Sequence, residues 1–101
     1  MHPTATTDEI LRDLGGRLRH YRLQQNRTMA SLAADAGVSL RTVRRAEAGD
    51  NPTMESVIRI LRALGMLHAL DAFLPTPLVS PLQLAALKGK QRRRAAPKRR
   101  G

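Results

Sequence analysis

Apolar residues recur at intervals of three and four along most of the first three-quarters of the chain, and strict alternation is nowhere sustained. Ile10, Leu11, Leu14, Leu18 and Tyr21 mark one face of a first helix. Asp8 is its expected N-cap and Glu9 suits its first turn. Gly15 and Gly16 interrupt it, each at a cost of about 1 kcal/mol relative to alanine, so this helix depends on packing. A two-turn helix follows, capped by Thr28, with Leu32, Ala33 and Ala36 on its apolar face and Gly37 just past its end. Ser39 opens a third helix through Leu40, Val43 and Ala46, which stops at Gly49. Thr53 caps a fourth, whose positions Met54, Val57, Ile58, Leu61 and Leu64 are expected in the core and which Gly65 closes. A last short helix is expected over Leu67 to Phe73.

The periodicity therefore predicts an all-α fold of five short helices within residues 8–74. Residues 75–101 have another character. Prolines at 75, 77 and 81 mark an extended linker, and a basic stretch without apolar content follows, expected to be disordered. The chain has 101 residues, enough for one small domain. Tyr21 and Phe73 are its only aromatic residues, so its core is aliphatic. It contains no cysteine, which excludes disulfides and thiolate metal sites. His2, His20 and His68 are too scattered to bind a metal together, and no nucleophile–base–acid set is visible. No catalysis and no cofactor are expected. Neither a signal peptide nor a run of ~20 apolar residues is present, so a cytoplasmic protein that does not enter membranes is expected.

Formal net charge is +10, and residues 88–101 hold eight of the eighteen Lys and Arg with no acid. The remaining charge is nearly balanced, so its placement matters more than its sum. Arg41, Arg44 and Arg45 fall on one face of the third helix with Leu40, while Ser39 and Thr42 flank them. A tight turn at Ala36–Ser39 joins that helix to the second, with Val38 pinning the two. The major groove accepts one such helix, and arginine's planar fork matches the two acceptors on guanine. These positions suggest base contacts by Leu40, Arg41, Arg44 and Arg45, and phosphate contacts by Thr28, Ser39, Thr42 and Asn51. Solvation of the arginines is the alternative, and Arg45 has a second one, pairing with Glu47 or with the first helix. Leu67, Leu70, Phe73 and Leu74 either form a dimer seam or close the monomer core.

The ordered set Thr28, Leu32, Ala33, Ala36, Gly37, Val38, Ser39, Val43, Glu47, Gly49, Pro52, Leu61 and Leu64 resembles the Xre/Cro-C1-type repressor family. The resemblance implies a five-helix lambda-repressor-like domain that binds a palindromic operator as a homodimer. It also implies an ion pair between Arg22, late in the first helix, and Glu47, at the end of the recognition helix. Met29 departs from the pattern, because the family commonly carries glutamine there, and that residue's DNA contact is not carried over. Leu67, Leu70, Asp71, Phe73, Leu74, Pro75, Pro77, Ser80, Pro81 and Leu82 further resemble HipB-like antitoxins, which implies autoregulation and a HipA-type Ser/Thr kinase toxin as partner. Two other readings stay open: an interaction module that docks a partner through residues 75–87, and a non-specific basic nucleic-acid-binding protein.

Overall fold

The chain enters its first helix at Thr6, not at Asp8. In the computed structural model, which describes residues 1–78, 81–82 and 85–86, the Thr6 hydroxyl accepts from the Glu9 amide at 3.1 Å. The Glu9 carboxylate accepts from the Thr6 amide at 2.8 Å in return. This reciprocal cap satisfies two otherwise orphaned donors, which Asp8 alone would not do. The bond from the Thr6 amide, followed by the Thr6 hydroxyl, holds the Glu9 carboxyl below its ordinary pKa.

Five helices follow, α1 (Thr7–Gln24), α2 (Met29–Ala36), α3 (Leu40–Ala48), α4 (Met54–Ala63) and α5 (Ala69–Phe73), and no strand occurs among the described residues. Thr28, Ser39 and Thr53 cap α2, α3 and α4, each accepting a bond from the amide three residues on. Gly37, Gly49 and Gly65 adopt left-handed backbone just beyond the same helices. In each case the next residue's amide returns to the carbonyl five positions back: Val38 to Ala33, Asp50 to Arg45, and Met66 to Leu61. This is the Schellman arrangement, which occupies carbonyls the helix leaves open.

The core lies between α2, α3 and α4. Leu32, Val43 and Ile60 are fully buried, and Ala33, Ala36, Ala46 and Leu64 fill the space around them. Burying each large aliphatic side chain contributes roughly 1.5–3 kcal/mol. Two expectations for this core change. Ile60 is at its centre, although it lies off the predicted face, whereas Met54 is 56% exposed and Val57 and Ile58 are only half-buried. The inward arc of α4 is centred on Ile60, Leu61 and Leu64, which leaves Met54 at its edge in the first turn.

α1 packs differently. Its inward stripe is Leu11, Gly15, Leu18 and Arg22, while Leu14 and Tyr21 are exposed. Gly15 is buried where a Cβ would stand 2.5 Å from the Glu47 carbonyl oxygen and 2.6 Å from that of Ala46. At Gly49 a Cβ would stand 2.6 Å from the Arg12 backbone nitrogen. The two helices thus meet backbone to backbone, and the glycine that weakens α1 as an isolated helix is what brings it against α3.

Between α1 and α2, the loop caps α4. Gln25 Nε2 donates to the Leu64 carbonyl at 2.9 Å, and Arg27 Nη1 donates to that of Ala63 at 2.8 Å. Arg27 also pairs with Asp35, so it is an element of the scaffold.

Candidate nucleic-acid interface

α2 and α3 form a helix-turn-helix, and its turn follows from local chemistry. Gly37 takes φ of 71° without a Cβ to oppose it, Val38 packs against the core, and Ser39 starts the next helix at once. Val43, Ala46 and Glu47 face inward along α3, so the remaining arc must face outward. Leu40, Arg41, Arg44, Arg45 and Ala48 are all exposed on that arc.

The arginines there are not equivalent. Arg41 and Arg44 take part in no ion pair and no side-chain hydrogen bond among the described residues. Arg45 instead directs Nε to Asp50 Oδ2 at 3.3 Å. Asp50, and neither Glu47 nor the first helix, is thus the partner of Arg45. A signal was present: an acid directly after a left-handed glycine returns to the helix residue five places back, which here is an arginine.

Glu47 points the other way. Arg22 Nε donates to Glu47 Oε2 at 2.6 Å, Nη2 donates to Oε1 at 3.0 Å, and Nη1 donates to the Arg27 carbonyl at 2.8 Å. Both side chains are buried. Donation to the Glu47 carboxylate raises the Arg22 pKa against the opposing effect of burial. The pair locks the end of α3 to α1 and to the α1–α2 loop. Among the described residues no buried side-chain nitrogen or oxygen lacks a partner.

The other proposed contact residues stand at the starts of α2 and α3 and in the loop after α3. The Thr28 hydroxyl accepts from the Ser31 amide at 3.0 Å. Ser39 accepts from the Thr42 amide at 3.0 Å, and the two hydroxyls share a bond of 2.9 Å. One hydroxyl proton is consumed between them, which leaves the pair one to donate elsewhere. Asn51 is exposed, with φ of 46°. Met29 is half-buried against the core, so the second helix presents no amide side chain at that position. Ser80 and the whole of 88–101, on which other expectations rest, lie outside the described residues.

No group of His, Asp and Glu suited to a metal ion occurs among the described residues, and no helix there is long and apolar enough to cross a membrane. A family model described as Helix-turn-helix matches residues 18–69, from the second half of α1 to the start of α5. No curated protein matches the chain.

Proposed function

Because the chain belongs to the Xre/Cro-type helix-turn-helix family of DNA-binding transcription regulators, we propose that it is a sequence-specific repressor whose α3 reads bases in the major groove. The observation that carries this reading is that Arg41 and Arg44 are exposed beside Leu40 on the outward arc of α3 and have no ion-pair partner among the described residues. Leu40 offers an apolar contact to a thymine methyl, and Arg41 and Arg44 offer bidentate bonds to guanine. Arg45 stands at the edge of the same surface. Thr28, the Ser39–Thr42 pair and Asn51 contact phosphates, and these contacts set register and not sequence.

Replacing Arg41 with alanine is expected to weaken binding by about 1–3 kcal/mol and to relax base preference at one position. Competition between duplexes differing at single base pairs measures both. An unchanged preference would remove Arg41 from the base-reading set.

The repressor acts as a homodimer on a palindromic operator, with two copies of α3 about 34 Å apart. Support comes from Phe73 and Leu74, which are 61% and 76% exposed beside Leu67 and Leu70 at the end of the domain. In the finer reading the chain is a HipB-like antitoxin that represses its own operon and binds a HipA-type kinase. The residues from Leu67 to Leu82 quoted above support it. Co-purification with a kinase of that type encoded next to this chain tests it, and a lone chain in that pull-down would refute it.

Exposed Leu78 and Leu82 favour a second reading, in which residues 75–87 dock a protein partner and the helical domain is scaffold. A non-specific basic protein is the third. Removing residues 88–101 separates them. The repressor keeps its sequence preference and loses affinity, with a shallower salt dependence. A tail-driven binder loses nearly all binding, and a docking module leaves no footprint on DNA in either form.

A further inference from the structure

Three helices of this domain end in the same Schellman geometry, which sets the side chain after the left-handed glycine beside the residue five positions earlier. At α2 and α4 the residue after the glycine is apolar, Val38 and Met66, and both pack against the core. At α3 it is Asp50, and the residue it meets is Arg45. The exchange is not explained by helix stability. A carboxylate at a helix C-terminus opposes the helix dipole, so the favourable partner available to Asp50 is the guanidinium.

The backbone brings the two side chains together. Asp50 N donates to the Arg45 carbonyl at 2.9 Å, Gly49 has φ of 74° and Asn51 has φ of 46°, so the turn places the Asp50 side chain within reach of Arg45. Both side chains remain solvent-accessible. An exposed pair of this kind is weak, and a phosphate oxygen can replace the carboxylate.

We propose that Asp50 is a positioning residue that sets how strongly this protein binds DNA without regard to sequence, by occupying Arg45 until a closely docked phosphate or base displaces it. On a mismatched duplex α3 does not seat fully and Arg45 stays with Asp50. On a matched site Arg45 is released at the edge of the surface that Arg41 and Arg44 occupy. Asp50 thereby widens the gap between specific and non-specific affinity, in the way that a repulsive element sharpens a recognition surface. This inference rests on the reading of α3 as the DNA-facing helix.

The test uses the full chain and two duplexes, one of mixed sequence and one enriched from a random pool by the wild-type protein. Asp50→Asn is expected to tighten binding to the mixed-sequence duplex by about two- to fivefold, to improve the enriched duplex less, and to steepen the salt dependence by about one unit of slope. In an Arg45→Ala background, the same substitution is expected to change neither affinity nor slope. Thermal melting of each variant separates folding from binding. Equal tightening with and without Arg45 would mean a general charge effect and would overturn the proposal, as would no tightening at all. If Arg41→Ala and Arg44→Ala are also silent on both duplexes, the DNA-facing reading of α3 has failed. If only Asp50 and Arg45 are silent, that reading stands and this inference falls.

Discussion

Replacing Glu47 with alanine is expected to destabilise the fold by about 3–5 kcal/mol. Arg22 is 6% exposed and would keep its charge with the Arg27 carbonyl as its one remaining side-chain hydrogen-bond partner among the described residues. A domain of this size is stable by only about 5–15 kcal/mol, so the loss is a large fraction of the whole. Its melting temperature should fall by roughly 15 °C or more. Replacing both partners with apolar residues of similar volume should restore much of that stability, because the isolated charge and not the missing attraction is the main cost. DNA binding should fall only as far as the folded fraction falls. Unaltered melting with lost DNA binding would place Glu47 at the interface instead of beneath it.

Gly15→Ala is the second change with a large expected effect. The added methyl meets backbone carbonyls of Ala46 and Glu47, which cannot rotate away, so α1 must move off α3. Overpacking of this kind costs about 1–3 kcal/mol, beyond the ~1 kcal/mol that alanine returns to a helix. Its neighbour provides the control. A Cβ at Gly16 meets nothing within 4 Å, so Gly16→Ala should raise the melting temperature. The two variants differ by one position and should move in opposite directions. Equal melting temperatures would contradict the backbone contact between α1 and α3.

The Gly15 site also marks where the sequence is hard to read. The caps at Thr28, Ser39 and Thr53 and the turns at Gly37, Gly49 and Gly65 were legible because each is decided within four or five residues. The inward face of α1 was not, because it carries Gly15 and Arg22 where a hydrophobic stripe was sought. Only knowledge of the facing backbone explains the glycine, whereas the arginine is legible through the family resemblance, which pairs it with Glu47, 25 residues away. Ile60 was missed for a related reason: the apolar positions of α4 span more than one face, and only packing decides which becomes the centre. Thr6 and Glu9 have the spacing of a reciprocal cap, which outweighs the capping preference of Asp8. The outward arc of α3 was visible because its inward residues are apolar and its glycines fix the ends. The Asp50 contact with Arg45 follows from the same turn, since the left-handed Gly49 returns Asp50 to the residue five places back.

Selection of the wild-type chain against a pool of randomised duplexes, followed by sequencing of the bound fraction, addresses the role of α3 most directly. Enrichment of a defined motif containing guanines, lost from the selection when Arg41 and Arg44 are both alanine, is the expected result. Binding without enrichment of any sequence, or the same motif recovered by the double variant, would contradict base reading by the exposed arginines.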